Sequence, residues 1–165
     1  MWQPDGWGWR ARIGVLTPHA DIGPESELRA MAPDGVSIHA TRVPLGGYTP
    51  GGKMDQTIAD DPVRSFAEPP LVDDAAELLA AVPLHAIVYG FTSSSYVRGA
   101  ADDAALKNRL EARTRGIPVV IPCAAAVLAL ASLGVTKLWQ ALRISGTRAR
   151  IVDYGQIFGH ELPTT

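Results

Sequence analysis

The chain predicts an α/β fold with three layers: a mainly parallel sheet of about four strands, helices on both faces, and a C-terminal helix and tail. Three observations predict it. Short runs of strand length and composition recur at Arg12 to Leu16, Val36 to Val43, His85 to Tyr89 and Ile117 to Ile121. Between them lie segments with apolar residues at helical spacing, and strands that alternate with helices pair in parallel because each crossover covers a sheet face. At 165 residues the length suits one core better than two.

Residues 1–10 form an arm with Trp2, Trp7 and Trp9, lacking the continuous apolar stretch of a signal peptide. Its indoles are expected to bury on the domain or on a partner. Arg12 to Leu16 reads as a buried first strand, Thr17 to Asp21 as the turn after it, and Pro24 to Met31 as the first helix. Val36 to Val43 alternates Val36, Ile38 and Ala40 with Ser37, His39 and Thr41, which suits a strand near a sheet edge. The stretch from Pro44 to Pro70 is rich in Gly and Pro and is expected to be an irregular loop, long enough to serve as a lid.

Val72 to Val82 has helical spacing, with Asp73 and Asp74 in its first turn to complement the helix dipole. It leads into the strand His85 to Tyr89. A helix over Ala101 to Thr114 stops before Gly116, and the strand Ile117 to Ile121 precedes an Ala-rich helix over Ala124 to Leu133. Beyond Gly134 the alternation breaks: Lys137 to Ile144 reads as an amphipathic helix that follows its predecessor with almost no strand between. The domain therefore spans 11–134, with 135–165 as helix and tail.

A hydrophobic content of 47 %, a charged content of 19 % and a formal net charge of -2 leave too little positive charge to drive phosphate-backbone binding. Nucleic acid is not an expected partner. The longest later apolar run, Cys123 to Leu130, is too short to span a bilayer, so no membrane is expected either. Cys123 is the only cysteine, which excludes an internal disulfide and suits a reducing, cytoplasmic location. His39, His85 and His160 share no ligand spacing, so no metal is expected. The dinucleotide pattern Gly-x-Gly-x-x-Gly is absent, and no cofactor is indicated.

The segment from Val88 to Gly99 carries the chemistry. An apolar run ends in Phe91-Thr92-Ser93-Ser94-Ser95, so hydroxyls and backbone N–H groups converge where a carboxylate could be held. Small hydroxyl residues also favour turns and helix caps for purely local reasons. In parallel sheets ligands sit beyond the carboxyl ends of the strands, and here those ends carry Thr17 to Asp21, Phe91 to Ser95, and Pro122-Cys123.

Arg12-Ile13-Gly14-Val15-Leu16-Thr17-Pro18 with Glu25, Thr92-Ser93-Ser94-Ser95 with Arg98-Gly99, Gly116-Ile117-Pro118-Val119, and Ala125 leading to Leu133-Gly134-Val135 come in this order along most of the chain. Together they resemble the aspartate/glutamate racemase superfamily, in the branch that holds maleate cis-trans isomerase and arylmalonate decarboxylase. Leu138 to Arg143 and Tyr154 to Phe158 resemble the C-terminal end of the same proteins. The resemblance implies a second, similar α/β domain between Leu133-Gly134-Val135 and that end. Here the two run together, and an internal deletion of most of the second domain is inferred.

The resemblance further implies cofactor-independent isomerisation, racemisation or decarboxylation of a small carboxylic acid, at an interface between two pseudo-symmetric domains. Negative charge that builds on a carbon beside a carboxylate needs preorganised donors and acid or base groups on opposite faces. By position Thr92, Ser93 and Ser94 are the candidate carboxylate-binding residues. Phe91 stands where several relatives place a cysteine, and phenylalanine can neither attack a carbon nor move a proton. Cys123 matches neither catalytic cysteine. It is a candidate reactive thiol if a helix N-terminus lowers its pKa, or else inert core.

Asp21 aligns with a family position often held by asparagine. It is a candidate base, with helix capping as the alternative. His19, in the same loop, could move a proton or pair with Asp21. Arg98 could approach a carboxylate, although an ion pair with Asp102 at helical spacing explains it as well. A catalytically inactive carboxylate-binding module or truncated remnant is the competing function. Loss of half a domain interface would leave apolar surface uncovered, from which a homo-oligomer is expected.

Overall fold

A computed structural model describes residues 7–47 and 60–133. The chain runs β1 (Ala11–Pro18), α1 (Gly23–Met31), β2 (Val36–Val43), α2 (Asp60–Ser65), α3 (Leu71–Leu79), β3 (Ala86–Tyr89), α4 (Thr92–Arg98), α5 (Ala100–Arg113), β4 (Val119–Val120) and α6 (Pro122–Ser132). The four strands form one sheet in the order β2-β1-β3-β4, and every pairing is parallel. The α/β fold with a parallel sheet of four strands is the one the alternation predicts. β2 lies at an edge, in keeping with its wetter face.

The sheet order places the helices. Right-handed crossovers put α1, between β1 and its neighbour on one side, on one face, and α3 and α5, which serve connections toward the other side, on the opposite face. That second face holds the main core. Leu16, Ile87, Tyr89 and Val119 from the strands meet Val72, Ala75, Ala76 and Leu79 of α3 and Leu106 and Leu110 of α5. Four fully buried side chains of this set, Leu16, Ile87, Leu106 and Leu110, each contribute about 1.5–3 kcal/mol of transfer free energy. Ion pairs fasten α5 to α3: Arg109 Nε lies 3.0 Å from Asp73 Oδ1, and Arg113 lies 2.6 Å from Glu77 and 3.2 Å from Asp74. The other face is thinner. Val15 and Ile38 are buried there, but α1 has no fully buried residue.

Several expectations change. The stretch from 60 to 67 is not loop: α2 forms there, and Val63, Phe66 and Ala67 are buried. Gly and Pro content alone hid three apolar residues that fill the gap beside α4. The Pro69–Pro70 peptide is cis. The strand expected over Ile117 to Ile121 shortens to Val119–Val120, because Pro118 has no N–H to give the ladder and Pro122 already opens α6. The indoles of Trp7 and Trp9 are not buried on the domain; they are 80 % and 64 % exposed. Trp9 lies beside Gly35, where any side chain would collide with its ring, and Arg10 sits 5.9 Å from its centroid. Trp2, the middle of the expected lid, the helix over Lys137 to Ile144 and the tail lie outside the described residues.

Candidate functional site

All four strands point the same way, so their carboxyl ends share one edge, and the turns after β1 and β3 lie side by side there. The Gly90 N–H donates to the Leu16 carbonyl at 2.7 Å. A Cβ on Gly90 would stand 2.9 Å from that oxygen and 3.2 Å from Pro24 at the start of α1. Glycine is thus what lets the β3–α4 turn sit against β1 and α1.

The hydroxyl cluster is itself helical. Phe91 is the N-cap and Thr92 to Arg98 form α4, which ends where Gly99 takes φ 83° and ψ 174°, a combination open essentially to glycine alone. Helical geometry splits the hydroxyls. Thr92 and Ser93 are exposed at the sheet's carboxyl edge, whereas Ser94 and Ser95 are fully buried. Burial drives the pKa of the Tyr89 hydroxyl far up, with the charge of Arg98 opposing the shift, and neither this hydroxyl nor Ser94 Oγ meets a partner at hydrogen-bond geometry among the described residues. Ser95 Oγ donates to Asp103 in the first turn of α5.

Phe91 joins an aromatic stack. Its ring stands 4.7 Å, edge to face, from Phe66, which lies 5.6 Å from Tyr89. Phe91 therefore packs α2 against the sheet. Arg98 turns the same way: it pairs with Glu68, accepts no role at the strand edge, and comes only to 4.0 Å of Asp102. The Asp102 pair read from helical spacing is thus the weaker of the two. Glu68, thirty positions distant in sequence, gave no signal.

The β1–α1 turn holds Asp21 and His19. Asp21 Oδ1 accepts from the Gly23 N–H at 2.9 Å, a short-range turn that orients the start of α1. The Asp21 carbonyl accepts from Arg42. His19 donates its backbone N–H to Val43 at 2.9 Å, and its Nδ1 accepts from the Leu45 N–H at 3.0 Å. That bond places the ring proton of neutral His19 on Nε2. Arg42, which sequence reasoning missed, lies 2.6 Å from Glu25, and Glu25 also holds Arg29 at 2.8 Å. The signal was available: strand register puts Arg42 level with Thr17, on the side of the sheet that α1 covers.

Cys123 stands in the first turn of α6 after Pro122, yet it is only 1 % exposed. Burial raises its thiol pKa, with a bond to Ser95 opposing and the charge of Asp103 adding to the rise. The helix end does not win. Cys123 is gathered with Ser95 and Asp103 beneath α4, apart from the exposed Thr92 and Ser93. Among the described residues no group of three or more His, Cys, Asp or Glu is placed to hold a metal ion, and no helix is long and apolar enough to cross a membrane.

No protein-family model and no curated protein matches the chain. Solved structures do. A maleate isomerase from Pseudomonas putida, solved with maleate, superposes with a TM-score of 0.60 at 17 % identity over 75 % of this chain and 49 % of its own, a likeness of fold. Arylmalonate decarboxylase matches with a TM-score of 0.56 at 27 % identity over 76 % of this chain and 48 % of its own. A double variant of arylmalonate decarboxylase in the liganded form gives 0.54 at 29 % over 77 % and 48 %. The resemblance read from the motifs thus holds in three dimensions: the chain is similar to maleate isomerase in fold and to arylmalonate decarboxylase in fold and sequence, and spans about half the length of the solved chains it matches.

Proposed function

We propose that this chain is a maleate isomerase and arylmalonate decarboxylase-like protein that binds a small carboxylic acid at the carboxyl edge of its sheet. Thr92 and Ser93 supply hydroxyl and amide donors, and the turn from His19 to Asp21 forms the neighbouring wall. The observation that carries the reading is the exposure of Thr92 and Ser93 on the first turn of α4, one hydrogen-bonded strand away from the β1–α1 turn. Oriented donors at such an edge favour a carboxylate over a neutral ligand. In this reading Arg98 holds α4 to the chain around Glu68, and Asp21 is the candidate base. No cofactor enters the chemistry of the reading. Isomerisation, racemisation or decarboxylation is the reaction class that kinship supports.

A second reading, a catalytically inactive carboxylate-binding module, is favoured by one observation. Phe91, which the resemblance sets at a position where several relatives carry cysteine, is locked into a stack with Phe66, while the thiol of Cys123 is buried and its pKa raised. Incubation of purified protein with maleate or an arylmalonate separates the two. Turnover that falls at least about tenfold in Asp21→Asn supports the enzyme. Thermal stabilisation by the acids without turnover supports the binding module. Neither turnover nor stabilisation rejects both.

A further inference from the structure

We propose that Arg42, at the exit of the edge strand β2, is the positioning residue of Asp21. The inference deepens the proposed function, and only the catalytic meaning of the contact rests on that reading. The main chain of Asp21 is held at both of its polar groups: its N–H donates to the Pro18 carbonyl at 3.0 Å, and its carbonyl accepts from the Thr17 hydroxyl at 3.4 Å and from the Arg42 guanidinium. Thr17 and Arg42 are level in the parallel register of β1 and β2, so their side chains leave the same side of the sheet and two adjacent strands aim donors at one oxygen. Thr17 is fully buried, which seats that oxygen against the sheet. The carboxylate of Asp21 is thereby set where its Oδ1 accepts from the Gly23 N–H at 2.9 Å. His19, the other titratable group of the turn, takes its place from the same strand exit, through Val43 and Leu45.

Where the charge of Arg42 goes separates a positioning role from a simple ion pair with the base. Its Nη2 lies 2.6 Å from Glu25, whose carboxylate also holds Arg29 at 2.8 Å. A guanidinium on the Asp21 carboxylate would favour the ionised form and weaken it as a proton acceptor. On the carbonyl it fixes the residue and leaves the carboxylate to its chemistry. The two contacts use different nitrogens of one planar fork, Nη1 for Asp21 and Nη2 for Glu25. A lysine ammonium, a point charge on a flexible stem, can keep Glu25 but does not reproduce both directions.

Amide hydrogen exchange, followed by NMR on the full chain without ligand, tests the contact. Arg42→Lys should leave the urea midpoint nearly unchanged, since an exposed ion pair contributes little. It should nonetheless speed exchange of the Gly23 N–H at least about tenfold relative to the amides of β3. Glu25→Gln removes the ion pair and keeps the grip on the carbonyl, so Gly23 exchange should change less than about threefold. With an acid that the unsubstituted protein turns over, Arg42→Lys should lower kcat at least about tenfold and alter KM less than about threefold, as expected for a misplaced base rather than a lost binding contact. Should Arg42→Lys not fold, Arg42→Gln is read for Gly23 exchange in its place. Gly23 exchange that is unchanged in the Arg42 variant, or raised as much by Glu25→Gln, overturns the proposal, and so does turnover indifferent to Arg42→Lys. A protein with neither turnover nor carboxylate binding refutes only the proposed function, because Gly23 exchange still decides whether Arg42 positions Asp21.

Discussion

Cys123 and Tyr89 are the residues whose protonation the fold controls most, and both are held neutral by burial. Each folded-state pKa is raised, so the folded protein keeps a proton that the unfolded chain loses first. Stability contributed this way is complete below the ordinary thiol pKa of about 8.5 and falls as pH rises above it. The loss should steepen past about pH 10, where an unfolded tyrosine ionises. Urea denaturation at about pH 7, 9 and 10.5 should show this descent, and Tyr89→Phe should remove its upper part. Native Cys123 should also react slowly with a thiol reagent at about pH 7 and quickly once unfolded. Rapid labelling of the native protein would mean an open, activated thiol, contrary to its burial.

Glycines at two turns decide how the elements meet, for different reasons. Gly99 has nothing within 4 Å of a built Cβ, so Gly99→Ala should cost only the backbone strain of its dihedrals, about 1–3 kcal/mol. Gly90→Ala would push a Cβ against the Leu16 carbonyl and part β3 from β1. Chemical denaturation should show both losses, but only Gly90→Ala should also weaken carboxylate binding. Equal effects on binding would show that the β1–β3 approach does not shape the site. The longer elements were legible in sequence because each bears its own period: β2 runs over Val36–Val43 as its alternation says, and the helix expected from Ala101 is found from Ala100. β4 was overestimated because Pro118 and Pro122 cut the ladder on both sides, and α2 was missed because six residues carry too little periodicity. α4 escaped because Ser and Thr read locally as a turn, and the bond from Ser95 to Asp103 of α5 that holds its buried side is made in the folded chain and leaves no period in the sequence.

At the scale of the whole molecule, sequence reveals kinship and topology, and topology reveals the edge where a ligand belongs. It does not reveal which side of a helix faces that edge. Four hydroxyls in a row looked like one cradle, yet helical rotation gives two to solvent and two to the core. Arg42 and Glu25 became neighbours only through the parallel register of β1 with β2. The chain spans about half the length of the solved structures it matches, and its exposed Thr92 and Ser93 lie apart from its buried thiol. Amide NMR spectra of the full chain titrated with maleate address that arrangement directly. Saturable shifts should centre on Thr92, Ser93 and the turn from His19 to Asp21, and should vanish in a folded Thr92→Val, Ser93→Ala double variant. Unchanged spectra, or shifts that centre elsewhere and survive in the double variant, would contradict a carboxylate site at this edge.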